Sequence, residues 1–342
     1  MDILTKITKT PTAVGKETLS IVVPIYNEES VIVEFQKRLT NVLDKLPIAT
    51  EIIYVNDGSN DSTLSLLIQM QTQDERVCIL DLSRNFGKEL AMTAGLDYAH
   101  GDAVIVIDAD LQDPPELIPD MLTEWQNGYD IVYMKRRTRK GETWFKRFTA
   151  HGFYTLIGKL GKVKIPENVG DFRLMDKRAV NALCQLREQN RFMKGLFAWV
   201  GYNQKELLYD RDERFAGTSK WNYFQLWTLS LEGLTSFSTA PLKLASMAGV
   251  IIAGIAFLYG IWIIVKTLLF GDPVHGFPTI MVAILFMGGV QLISIGILGE
   301  YLGRMFLETK RRPLYLIKDH FPAKIFSKHN QDVAREPSKA YE

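Results

Sequence analysis

Asp108-Ala109-Asp110-Leu111-Gln112-Asp113 places three carboxylates within six residues, directly after the apolar run Ala103–Ile107. Like charges at the end of a buried segment repel one another, so a bound cation explains them better than stability does. In extended chain the side-chain period is two, so Asp108, Asp110 and Gln112 share one face. Two carboxylates and an amide oxygen are hard ligands suited to Mg²⁺ or Mn²⁺, with positions left for phosphate oxygens. An Asp-x-Asp triplet alone is weak evidence, but a second carboxylate, Asp57, closes another apolar run, Glu51–Val55. Asn56-Asp57-Gly58-Ser59-Asn60-Asp61-Ser62-Thr63 consists of turn and cap residue types. Asp61 or Ser62 suffices to cap the helix that follows, so capping does not need Asp57. Together the two patterns point to a metal–diphosphate site.

Positioning such residues requires a sheet whose strand ends converge. Leu19–Ile25, Glu51–Val55, Val77–Leu82 and Ala103–Ile107 read as strands buried on both faces, and Asp130–Met134 as a further strand. Between the first two, Ile32, Phe35, Leu39, Val42 and Leu46 form one helical apolar stripe, and Pro114-Pro115 opens another helix. This alternation implies an α/β fold with a mainly parallel sheet, whose ligands bind beyond the carboxyl ends of the strands.

The chain has 342 residues, 47% of them hydrophobic and 23% charged, with a net charge of +1 that gives no general affinity for polyanions. Cys78 and Cys184 fit no zinc or disulfide spacing. Leu244–Val265 and Phe277–Gly299 carry no charge. At about 1.5 Å per residue each would cross a hydrocarbon core of about 30 Å. Lys243 precedes the first stretch, while Arg304, Lys310, Arg311 and Arg312 follow the second; the linker between them holds only Lys266. The positive-inside rule then puts both ends of this hairpin in the cytoplasm. The expected organisation is a polar N-terminal tail (1–18), a catalytic domain with juxtamembrane helices (19–240), two transmembrane helices (241–303) and a cytoplasmic tail (304–342). Residues 319–342 read as polar and mobile.

Seven cations, Lys135, Arg136, Arg137, Arg139, Lys140, Lys146 and Arg147, share one short stretch followed by Trp144, Phe145, Phe148, Phe153 and Tyr154 as interleaved or trailing rings. Beside transmembrane segments this pattern reads as an interfacial helix meeting lipid phosphates, and nucleic acid is not expected as a partner. Trp221–Trp227 is a second interfacial candidate. Arg136, Lys146 and Arg147 are the candidate lipid-phosphate ligands, Arg136 because it follows a strand end at the rim of the expected site.

VVPIYNEE, VNDGSNDST, LSRNFGKELAMTAGLDYAHGD, IDADLQDPPE, GDFRLMD and RFAGTSKW together resemble the family 2 glycosyltransferases of the GT-A fold. More narrowly the chain is similar to polyisoprenyl-phosphate glycosyltransferases, including undecaprenyl-phosphate glucosyltransferases and dolichol-phosphate mannose synthases. The resemblance implies that Pro24, Tyr26, Glu28, Val55 and Asp57 contact the nucleotide, with Asp108 and Ala109 beside the ribose and diphosphate. It also implies that Asp110 and Gln112 hold the metal, that Arg214 and Lys220 belong to a closing loop over the leaving group, and that Asp171 is the catalytic carboxylate. A turn or cap role for Asp171 is the plainer alternative. The processive members' QxxRW motif is missing, since Gln189-Asn190-Arg191-Phe192 does not match it.

The implied reaction is metal-dependent, inverting transfer of one hexose, with UDP-glucose the first choice of donor, onto undecaprenyl or a similar polyprenyl phosphate. A GDP-mannose-dependent synthase is the alternative within the class, and a catalytically silent membrane scaffold the alternative outside it. The expected location is the cytoplasmic face of a bacterial inner membrane, and the hairpin offers lipid-facing surface for self-association.

Overall fold

The computed structural model describes residues 17–137, 169–189, 191–210, 240–270 and 276–324. The chain divides into two compact units. The first unit comprises Met1–His151, Ile165–Trp221 and Pro313–Glu342, and the second comprises Gly152–Lys164 and Asn222–Arg312.

The first unit is built on one eight-stranded sheet of order β7-β5-β6-β4-β1-β2-β3-β8. Its strands are β1 (Thr18–Ile25), β2 (Ala49–Asn56), β3 (Val77–Leu82), β4 (Ala103–Val106), β5 (Ile131–Arg136), β6 (Val169–Asp176), β7 (Gln204–Tyr209) and β8 (Ile317–Phe321). Strands β4, β1, β2 and β3 run parallel, as their unbroken apolar runs require for burial on both faces. Helices α1 (Ile32–Leu43), α2 (Thr63–Gln73) and α3 (Lys88–Asp97) make the crossovers, and a 3₁₀ turn at Pro115–Leu117 leads into α4 (Ile118–Gln126). On α1 the stripe read from the sequence is the buried face: Ile32, Phe35, Leu39 and Val42. Two short helices, α5 (Lys177–Gln185) and α6 (Met193–Trp199), follow β6.

Three features depart from the sequence reading. Strand β6 runs antiparallel between β4 and β5, so the mainly parallel sheet keeps its parallel pairing through β4, β1, β2 and β3 and becomes mixed beyond β4. Asp171 lies within β6 and caps no helix; the capping residue is Asp176, whose carboxylate accepts the Arg178 N–H at 3.0 Å. Part of the stretch read as a mobile tail forms β8, antiparallel to β3. That edge is fastened by Ser83 N–H to the Leu316 carbonyl at 2.9 Å and by Tyr315 O–H to Asp97 at 2.8 Å. The polar composition of Ile317–Phe321 reflects an edge strand with one exposed face, which composition alone does not separate from disorder.

The second unit contains two long helices, α7 (Ala240–Phe270) and α8 (Phe277–Thr309), which contain the two uncharged stretches. Among the described residues one stretch, Phe286–Thr309, is long and apolar enough to cross a membrane, and none of it is buried within the protein. Large apolar side chains project outward on both helices, Val250, Leu268 and Leu292 among them.

Candidate active site

At the carboxyl edge of the parallel strands, Pro24 of β1 pairs with Val55 of β2, and Val22 with Val106 of β4. The loops leaving these strands therefore start side by side. They are fastened to one another by their own polar residues. Asn27 N–H donates to Ser59 Oγ at 2.9 Å, Asn60 N–H to Asn27 Oδ1 at 2.8 Å, and Glu28 N–H to Thr63 Oγ1 at 3.0 Å. Asp57, 2% exposed, accepts Phe86 N–H at 2.7 Å and Gly87 N–H at 2.9 Å, tying the loop after β2 to the start of α3. Gly58 makes this approach feasible. Its φ is +66°, and a Cβ there would sit 2.6 Å from the Arg84 carbonyl carbon and the Asn85 nitrogen. Burial pushes the Asp57 carboxyl up, against the two N–H donors that favour its charge.

These loops enclose a cleft of about 250 Å³ lined by Pro24, Tyr26, Glu28, Asp57, Asp108, Ala109 and Asp110, among others. Of the nucleotide-site residues expected from the sequence, only Val55 does not line it. That side chain is fully buried in the sheet, beneath the cleft's edge.

The carboxylate loop does not continue as extended chain. Strand β4 ends at Val106, residues 109–110 form a turn, and Leu111 adopts φ +59°. The alternation that put Asp108, Asp110 and Gln112 on one face is therefore broken, because a left-handed residue reverses the chain between them. Asp108 and Asp110 still meet in the cleft. Gln112 instead gives its backbone N–H to Asp110 Oδ1 at 3.1 Å, and its side chain is not part of the lining. Asp113 is buried and accepts the Tyr209 hydroxyl, which in turn accepts from Arg136 Nε at 3.4 Å. Arg136 thus stands at the end of β5, held by β7 and the carboxylate loop.

The sequence reading had no role for Lys88, the first residue of α3. Its ammonium is 2.7 Å from Asp108 and 2.5 Å from Asp171, joining the cleft to β6. Burial pushes Asp171 up, but the Lys88 and Lys194 ammoniums outweigh it and hold the carboxyl well below the usual range. Burial pushes Asp108 up despite Lys88, with Asp171 and Asp110 adding to the rise. Glu89, which accepts Met193 N–H at 3.0 Å, is raised to about 7 by burial and by nearby Asp171. Beneath them Arg173, lowered to about 10 by burial, donates to the Gly170 carbonyl at 2.9 Å and stacks on Phe197 at 3.5 Å. Asp171 Oδ1 is buried and has no hydrogen-bond partner among the described residues.

The expected site residues Lys146, Arg147, Arg214 and Lys220 lie outside the described residues. Among those described, no group of three or more His, Cys, Asp or Glu side chains has the spacing of a complete metal cage. Two carboxylates in one cleft do fit a hard cation that takes its remaining ligands from water and phosphate, the usual arrangement for Mg²⁺ on phosphorylated substrates.

Comparison with known proteins agrees with the geometry. Residues 20–184 match the Glycosyl transferase family 2 model, and residues 240–305 match the GtrB C-terminal hairpin. The chain is 56% identical over 301 residues to an uncharacterized glycosyltransferase of Synechocystis, covering 88% of this chain and 95% of that one. It is 50% identical over 301 residues to the bactoprenol glucosyl transferase of Shigella phage SfV, covering 88% and 98%. It is 48% identical over 300 residues to a prophage bactoprenol glucosyl transferase homolog of Escherichia coli, covering 88% and 98%.

Proposed function

Because this chain belongs to glycosyl transferase family 2, we propose that it moves one glucose from UDP-glucose to a polyprenyl phosphate at a membrane surface. The observation that carries this reading is the cleft itself. Pro24, Tyr26, Glu28, Asp57, Asp108, Ala109 and Asp110 come from three separate loops and line one cavity. The bactoprenol glucosyl transferases, at about half identity over nearly their whole length, support the choice of sugar and acceptor.

In the proposed reaction a phosphate oxygen of the acceptor attacks the anomeric carbon as its bond to the nucleoside diphosphate breaks. The new C–O bond takes the electron pair of the nucleophile, and UDP leaves with the pair of the broken bond. A phosphate monoester has its second pKa near ~6, so at neutral pH the nucleophile is already largely dianionic. The demanding task is stabilising the leaving group. Tyr26, 42% exposed and lining the cleft, has an aromatic ring on which a nucleoside base would stack. Asp57 holds the loop backbone beside it. A divalent cation, Mg²⁺ or Mn²⁺, would be held by Asp108 and Asp110 and would supply charge neutralisation on the diphosphate. Asp171, kept ionised, is suited to orienting a sugar hydroxyl and poorly suited to taking a proton near neutrality. Arg136 at the rim presents a guanidinium fork suited to the acceptor phosphate, with Lys146 and Arg147 farther along the basic stretch. Arg214 and Lys220 would close over the leaving group.

The second unit would anchor the enzyme. Outward-facing Val250, Leu268 and Leu292 are what a lipid-exposed hairpin requires. The two uncharged stretches would make two spans, and the flanking charge bias supports an orientation with the catalytic unit and both termini in the cytoplasm. The test is a donor panel. Membranes carrying the chain should incorporate label from UDP-glucose into lipid-extractable product when polyprenyl phosphate is supplied. Incorporation from GDP-mannose alone would overturn the choice of sugar, and none from any donor would overturn the enzyme reading.

A further inference from the structure

Among the described residues lining the cleft, Lys88 is the only cationic side chain, beside Glu28, Asp57, Asp108 and Asp110. Diphosphate chemistry in so acidic a cleft needs positive charge from somewhere. Lys88 is also unusually placed for a lysine. It opens α3, a ten-residue helix, and cations are disfavoured at the positive end of a helix dipole. Two carboxylates offset that cost. Asp108 arrives from the end of β4 and Asp171 from β6, and their side chains are 23% and 11% exposed, whereas that of Lys88 is 45% exposed. An ammonium has three donors. The two carboxylates reach it through three oxygens, both of Asp108 at 2.7 Å and one of Asp171 at 2.5 Å, yet the side chain still lines the cleft, so a phosphate oxygen entering there would share the ammonium with Asp108. Gly87, just before Lys88, also lines the cleft, and it has φ +98° and open space where a Cβ would stand.

We propose that Lys88 is a catalytic residue of this site: its ammonium contacts the diphosphate of the nucleotide sugar and stays with that group as it leaves. Asp108 and Asp171 aim the ammonium from below. This assignment rests on the glycosyl-transfer reading and adds to it a residue that neutralises leaving-group charge from the protein side.

The experiment uses the purified full-length chain and compares binding of UDP with binding of uridine, which lacks the diphosphate. Transfer rates are followed in parallel. K88Q should weaken UDP by about tenfold to a hundredfold, the range of one charge-assisted hydrogen bond, and leave uridine unchanged. Its turnover should fall by about two to three decades. K88R keeps the charge and should recover most of the UDP affinity. A double variant, K88Q with D171N, removes one charge of each sign and so preserves the local balance. If Lys88 touches the diphosphate, the double variant still binds UDP weakly. If Lys88 only balances carboxylates, the double variant binds UDP as the wild type does, and the proposal is overturned. Equal UDP affinity in K88Q and wild type, or loss of uridine binding in K88Q, overturns it as well. Wild-type protein that binds neither UDP nor GDP overturns the donor reading itself, and Lys88's role with it.

Discussion

Replacing Glu89 with glutamine tests the electrostatics beneath the cleft. Burial and the neighbouring Asp171 raise this carboxyl from 4.5 to about 7. Its folded-state pKa lies above its unfolded value, so its contribution to stability is fully present below pH 4.5. That contribution is lost as pH rises through about 7. The interval of about 2.5 pH units, at about 1.4 kcal/mol each, amounts to about 3 kcal/mol. Glutamine is nearly isosteric, stays neutral, and can still accept the Met193 N–H that the carboxylate accepts at 3.0 Å. Glu89→Gln should therefore match wild type near pH 4.5 and exceed it by up to about 3 kcal/mol at pH 8. For a protein of this size that is roughly 5–10 °C in melting temperature. Thermal unfolding of both proteins in detergent across pH 4.5–8 measures the difference directly. Parallel curves, or a variant that is least stable at pH 8, would refute the reasoning.

Three further substitutions probe other parts of the site. Gly58→Ala forces a side chain into left-handed backbone 2.6 Å from the Arg84–Asn85 peptide, and should cost at least about 1–2 kcal/mol with weakened donor binding; calorimetry with UDP reads both. Asp110→Ala should lower transfer by two to three decades, about 3–4 kcal/mol, and remove the metal dependence of UDP binding; near-normal turnover in Mg²⁺ or Mn²⁺ would sink the metal assignment. Arg136→Ala should raise the KM for a short-chain soluble polyprenyl phosphate while leaving UDP affinity intact, and an unchanged KM would remove its role at the acceptor.

The parallel half of the sheet and its loops were legible because each strand is a short apolar run closed by Asn, Asp and Gly. Such runs have few other solutions in a folded chain. Asp57, Asp108 and Asp110 could be named from that pattern alone. Lys88 could not, since a lone lysine at a helix start looks like any solvated cation until two carboxylates are seen around it. Asp171 came from family resemblance, because Val169–Asp176 mixes two aspartates and an arginine into a strand that is buried almost throughout. Burial of Arg173 is tolerated there because two carbonyls and the Phe197 ring receive it. Gln112 was misplaced by one left-handed residue, Leu111, whose conformation no local signal announced. Strand β8 was missed because its partner is β3, more than two hundred residues away in sequence.

The central claim is transfer of a single hexose to a polyprenyl phosphate. Its most direct test incubates the purified chain with UDP-glucose, undecaprenyl phosphate and Mg²⁺ and analyses the lipid by mass spectrometry. The account predicts one product, the acceptor carrying one hexose on its phosphate, formed in step with UDP release. UDP released without a glycosylated lipid, or a lipid carrying a hexose chain, would contradict it.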